Sequence, residues 1–182
     1  ILDIFTHEGI EYGIVGGAVG ASFSVLVAEE LFESGCELLI NISSAGRIIT
    51  LDQPPPYVIL IEKALRDEGT SYHYLPPSPY SYLDPFLKEV VLHAWDYEHV
   101  PLYTGTSWTT DAPFRETEEM LEIGRAHNIL TIEMEAAALY ALGSAKQQHI
   151  VCFAYVTNSL GCIEGDFEKG LSNGSLTNLD VI

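Results

Sequence analysis

Two carboxylates, Glu133 and Glu135, flank a methionine in the stretch Ile132-Glu133-Met134-Glu135-Ala136-Ala137-Ala138. Ionised carboxylates accept charge-assisted hydrogen bonds, which are shorter and stronger than neutral ones, and so they grip polar ligands well. Met134 between them offers a soft apolar contact. Residues 130–132 form a short apolar run that reads as a strand, and residues 134–146 are rich in Ala and Leu and read as a helix. The pair therefore stands at a strand-to-helix junction, a common place for a ligand site in an α/β fold. Acids there also complement the positive end of the helix dipole, so two helix-capping acids are the competing reading. Met134 on its own reads equally as core packing.

The rest of the chain supplies the elements that would hold such a junction. Residues 10–15 read as a buried strand, and Gly16, Gly17 and Gly20 make a flexible turn. That turn lacks a following lysine and is not a P-loop. Residues 21–34 carry apolar residues at helical spacing, with Ala28, Leu31 and Phe32 on one side, and Gly35 is a good stop. Residues 37–42 read as the next strand, running into a turn at Ser43-Ser44-Ala45-Gly46. Strand, helix and strand in this order predict a parallel sheet with crossover helices. Residues 52–56 are a proline-rich bend, 57–61 are strand-like, and 76–85, with four prolines and two tyrosines, read as an ordered loop. A short helix is expected over 85–94, and a strand over 99–104 leading into Gly105-Thr106-Ser107-Trp108. Another helix is expected over 115–127. Residues 150–156 are continuously apolar, typical of a central parallel strand, and a last helix begins at Gly165. The fold class is α/β, with a mixed, largely parallel central sheet flanked by helices. There is no internal repeat.

Composition bounds the function. The 182 residues suit a single domain, and 47% hydrophobic content is enough for a sizeable core. No apolar stretch approaches the roughly 20 residues that span a bilayer, and no signal peptide is evident. Cys36, Cys152 and Cys162 show no metal-type spacing, so no metal is expected, and reduced buried thiols in a cytoplasmic protein are the reading. Against 26 acids stand 8 Lys and Arg, a net charge of −18. That excludes a basic footprint for nucleic acid and argues against anionic membrane surfaces. It also gives poor long-range attraction for phosphate, although local donors can still bind it.

Glu133-Met134-Glu135-Ala136-Ala137 resembles the signature of the nucleoside phosphorylase and nucleosidase superfamily. Further stretches fit in the same order. Val15-Gly16-Gly17-Ala18-Val19-Gly20-Ala21-Ser22 is similar to its glycine-rich turn, and Ile40-Asn41-Ile42-Ser43-Ser44-Ala45-Gly46 to its second strand and phosphate-side turn. Arg66-Asp67-Glu68-Gly69-Thr70-Ser71-Tyr72-His73-Tyr74 is similar to a segment of uridine-phosphorylase-like members. Val156-Thr157-Asn158 falls where the family has its catalytic Asp or Asn. The resemblance runs from about residue 10 to the C-terminus. It implies a phosphorylase-type three-layer sandwich over residues 1–182. Members usually carry another strand or two before the glycine-rich turn and a longer final helix, so the domain is expected to be incomplete at both ends.

The resemblance also implies roles. Glu135 would hold the 2′ and 3′ hydroxyls of a ribose, Met134 would pack on the sugar, and Glu133 would lie near the base or the 2′ hydroxyl. Gly46 would let the backbone approach base or sugar. Thr110 falls in the base-pocket segment, and Phe114 or the Tyr74 region could stack on the base. Ser44 and Gly17 would contact phosphate. Asn158 would hydrogen-bond N7 of a leaving purine; an amide donates a hydrogen bond but not a full proton. Thr117 falls near the position where uridine phosphorylases carry a uracil-reading Gln, so a purine nucleoside is favoured over uridine.

The expected activity is phosphorolysis of a purine nucleoside to free base and pentose 1-phosphate. Phosphate is the co-substrate and no cofactor is needed. The expected assembly is a homo-oligomer, a dimer or trimer of dimers. Asn41 stands where hexameric phosphorylases place an arginine and resembles the nucleosidases, which use water. A nucleosidase and a non-catalytic nucleoside-binding protein are therefore the alternatives.

Overall fold

Val58, Ile59, Leu60 and Ile61 are wholly buried, as befits a strand covered on both faces. They belong to one of the two longest strands of the sheet. The structure is a computed structural model and describes residues 2–52, 54–97 and 100–159, with side chains through Val156. Along the chain run β1 (Leu2–His7), β2 (Ile10–Val15), α1 (Ala21–Glu33), β3 (Leu38–Arg47), β4 (Tyr57–Asp67), β5 (Tyr80–Tyr82), α2 (Pro85–Ala94), β6 (Leu102–Thr110), α3 (Glu118–Ala126), β7 (Ile129–Glu133), α4 (Ala136–Lys146) and β8 (His149–Ser159).

Six strands form one mixed sheet in the order β5-β4-β6-β7-β3-β8. The long ladders β3–β8, β4–β6 and β6–β7 are parallel. The first half of β4 also pairs antiparallel with β8, Tyr57–Leu60 against Val156–Phe153, which closes the sheet on itself. Because β4, β6 and β7 are mutually parallel, their carboxyl ends Arg66–Asp67, Thr109–Thr110 and Glu133 gather on one side, where ligands bind in such sheets.

Helix α4 explains why this sheet can be so apolar. Every residue from Ala136 to Gly143 is buried, and a helix that is apolar all round belongs in the interior. Its alanines let the neighbouring elements approach closely. Ser81 Oγ donates to the Ala137 carbonyl at 2.6 Å. Tyr140 OH donates to the Ile61 carbonyl of β4 and accepts from Cys152 N of β8 at 3.1 Å. One buried phenol thus pins the helix where β4 and β8 meet. A smaller cluster of Ile48, Trp108, Leu121, Ile129 and Ile132 seats α3 against β7.

The structure departs from the sequence expectations in three places. Residues 10–15 do form a strand, but not a buried one. Among the described residues it pairs with β1 alone, in a hairpin turned at Glu8-Gly9, both at positive φ, and Ile10 and Ile14 are exposed. The expected crossover from this strand through α1 into a parallel neighbour is therefore absent: β3 pairs with β8 and β7, not with β2. Ser43-Ser44-Ala45-Gly46 is not a turn; β3 runs through it to Arg47, held by its ladder to β8. Elsewhere the differences are small. The proline-rich loop carries β5, and the helix expected over 115–127 is a 3-10 turn at Pro113–Arg115 followed by α3, whose N-cap is Thr117. The expected helix from Gly165 and Cys162 lie outside the described residues.

Candidate active site

Strand β7 ends at Glu133 and α4 begins at Ala136, with Glu135 as its N-cap. A helix start leaves backbone N–H groups without intrahelical partners. Here Glu133, not the N-cap residue, satisfies them: its Oε2 accepts from Glu135 N and Ala136 N, both at 2.7 Å. Its Oε1 accepts from Ser107 Oγ at 3.0 Å and Thr109 Oγ1 at 2.5 Å. Ser107 and Thr109 are two apart on β6 and so face the same side of the sheet. Thr109 Oγ1 in turn accepts from Ala137 N at 2.9 Å. Glu133 is 3% exposed and fully engaged.

This arrangement frees the carboxylate of Glu135, which makes no capping bond to α4. It reaches across to the opposite wall. Oε1 accepts from Gly20 N at 2.7 Å, and Oε2 accepts from Ser43 Oγ at 2.6 Å and, at 3.3 Å, from Met134 N. Ser43 Oγ itself accepts from Asn41 Nδ2 at 2.9 Å. Gly20 is the N-cap of α1 at φ +91°, a conformation that side chains rarely adopt. The N-terminal ends of α1 and α4 thus meet at one carboxylate. Burial, and next the charge of Glu135, push Glu133 up to about 7.

The cluster draws on four parts of the chain: Gly20 from the glycine turn, Asn41 and Ser43 from β3, Ser107 and Thr109 from β6, and the two glutamates of the β7–α4 junction. Of the residues singled out from sequence, Glu133, Glu135 and Met134 lie in it, the last half-buried. Gly46 is near its edge, its carbonyl accepting from Thr131 Oγ1 at 2.7 Å. Gly46 also faces Asn158 across the β3–β8 ladder, where the register skips Thr157. Such a bulge re-aims the residues beside it and is common next to active sites. The side chain of Asn158 lies outside the described residues. Gly17 and Ser44 are both exposed and outside the cluster. Thr110 is buried, donating to Asp67 Oδ2 at 3.3 Å and accepting from Ala112 N at 3.1 Å. Phe114 is 88% exposed and Tyr74 donates to Glu29 Oε1 at 2.8 Å, so neither ring borders the carboxylates.

Sequence reasoning passed over Ser43, Gly20, Ser107 and Thr109. The signal for Ser43 was present, since apolar Ile40 and Ile42 alternate with Asn41 and Ser43 and put the polar pair on one face. Reading Ser43 as a turn residue hid it.

The chain matches the family described as the Phosphorylase superfamily over residues 5–174. It is 27% identical to a guanosine phosphorylase of Halorubrum lacusprofundi over 143 residues, covering 78% of this chain and 58% of that protein. It is 24% identical to a purine nucleoside phosphorylase of Plasmodium vivax over 178 residues, covering 96% and 72%. Among solved structures it resembles a uridine phosphorylase from Vibrio fischeri, with a TM-score of 0.75 at 24% identity over 86% of this chain and 65% of that one. The likeness establishes a shared fold. The chain spans little more than half the length of the guanosine phosphorylase.

Proposed function

The chain belongs to the Phosphorylase superfamily, and from that premise we propose that it is a nucleoside phosphorylase acting on a purine nucleoside and phosphate. The support is the Glu135 carboxylate, 5% exposed, aimed away from its own helix and held between the glycine turn and β3. A carboxylate so fixed is preorganised to accept from sugar hydroxyls. Two relatives, a guanosine phosphorylase and a purine nucleoside phosphorylase, support the purine.

In this reading an oxygen of phosphate forms the new bond to C1′ as the bond from C1′ to the base nitrogen breaks. The base leaves with the electron pair. Glu135 orients the sugar and stabilises the cationic character that develops at C1′. Glu133 acts one step removed, by fixing the backbone that carries Glu135. Asn158 donates a hydrogen bond to the departing purine. Phosphate meets Ser44 and the backbone of the glycine turn at Gly17, while Thr110, Phe114 and Gly46 border the base. No cofactor enters this chemistry. The enzyme works as a homo-oligomer in the cytoplasm.

A nucleosidase is the second reading. Asn41 favours it, because an amide bonded to Ser43 stands there where a guanidinium would suit an anionic nucleophile better. The deciding experiment measures base release from inosine, guanosine, adenosine and uridine with and without phosphate. Release of hypoxanthine and guanine only with phosphate is expected. Equal release without it would replace the proposal with the nucleosidase.

A further inference from the structure

Eight Lys and Arg stand against 26 Asp and Glu, so a charge of −18 would remain even if every base paired with an acid. A net charge of magnitude about 2–8 is enough to keep a small domain soluble. The surplus goes well past that. Like charges stand closer together in a compact fold than in an open chain, so their repulsion destabilises the folded state.

The acids have little local relief. Among the described residues only Glu68, Glu133 and Glu135 are buried acids. Arg66 shields none of the rest, being buried among neutral acceptors. Lys88, Arg125 and Lys146 pair with Glu62, Glu118 and Glu29. Helix α1 ends on exposed Glu30 and Glu33 with no base in its last turn, and exposed Glu37 follows. Acids at a helix C-terminus oppose its dipole. On α3, Glu122 stands one turn from Glu118 and Glu119, all three exposed, and like charges at that spacing are destabilising. Glu33, Glu37 and Glu122 thus cost stability in dilute salt. The cost fades as salt shortens the screening length from about 10 Å at 0.1 M to about 3 Å at 1 M.

We propose that this protein is adapted to a concentrated-salt medium: its folded state depends on molar concentrations of hydrated monovalent cations to screen its surface carboxylates. The inference stands apart from the nucleoside reading, and its test reads stability rather than turnover.

The test is the thermal unfolding midpoint in 0.1 M and 2 M KCl, for the wild type and for the triple variant Glu33→Lys, Glu37→Lys, Glu122→Lys. The wild type is expected to gain about 10 °C or more in the higher salt. Each exchange to Lys alters the net charge by two, which brings −18 to about −12. Repulsion that grows with the square of the net charge then falls by about half. The triple variant is therefore expected to unfold at a higher temperature than the wild type in 0.1 M KCl and to show about half its salt gain. Should the lysines unsettle the fold, the same three changes to Gln, at a net charge of about −15, are expected to remove about a third of the gain. A wild-type midpoint that moves by less than about 3 °C between the two salt concentrations would overturn the proposal. So would an equal gain in wild type and variants, because salt would then act by strengthening apolar burial rather than by screening charge.

Discussion

Glu133 and Glu135 are two residues apart and do different work. Glu133 takes four donors and caps α4; Glu135 takes donors from outside its own helix. Four donors suit an ionised Glu133, whereas burial opposes ionisation, and burial prevails enough to push it up to about 7. A folded-state value above the ordinary glutamate value of 4.5 means that the folded chain holds this proton more tightly than the unfolded one. The stability Glu133 contributes is full below that value and is lost as pH rises through about 7. Glu133→Gln mimics the protonated form. Its carbonyl can serve Glu135 N and Ala136 N, and Ser107 can turn to the Thr131 carbonyl, 3.4 Å away. Urea unfolding should therefore show Glu133→Gln within about 1 kcal/mol of wild type, with a flatter stability profile between about pH 5 and 7.5. Glu133→Ala strands the buried N–H groups of α4 and should cost about 3 kcal/mol. Equal cost for Gln and Ala would contradict this assignment. At this scale the sequence made the glutamates legible, because their type and junction position are local facts. It hid Ser107 and Thr109, because a hydroxyl gains meaning only from the strand that brings a carboxylate to it.

Among the elements, those set by local chemistry were readable. Helix α2 runs Pro85–Ala94 as expected, with Pro at its start and Asp84 capping Phe86 N at 2.7 Å. Strand β2 was readable as a strand but not as an exposed one, since burial depends on which strands it pairs with, and these are distant in sequence. The turn propensity of Ser43 to Gly46 yielded to the β8 ladder for the same reason. The proline-rich loop after β4 owes its order to Arg66, which is buried among neutral acceptors. Its Nε donates to Ser71 Oγ at 2.8 Å, Nη1 to the Pro76 carbonyl at 2.8 Å, and Nη2 to the Leu75 carbonyl at 3.2 Å, while the guanidinium lies over Tyr72. A lysine cannot fan its donors this way. Arg66→Lys should cost about 2 kcal/mol and open residues 71–79 to limited proteolysis. Unchanged stability with a protected loop would show that the prolines alone order it.

At the scale of the whole molecule, the closure of the sheet by β4 against β8 could not be read from the sequence, because it joins strands some ninety residues apart. The fold class could, since apolar strands are interleaved with helices, strictly so from α2 to β8. The net charge of −18 repels phosphate at a distance. On the proposed reading, phosphate is bound by local backbone and hydroxyl donors, and whether it enters the reaction separates phosphorolysis from hydrolysis. The direct measurement is 31P NMR of the protein with inosine and inorganic phosphate. Phosphorolysis gives a new sugar-phosphate ester resonance that grows in step with free hypoxanthine as the inorganic phosphate signal declines. Hypoxanthine accompanied by free ribose, with the phosphate signal unchanged, would contradict it.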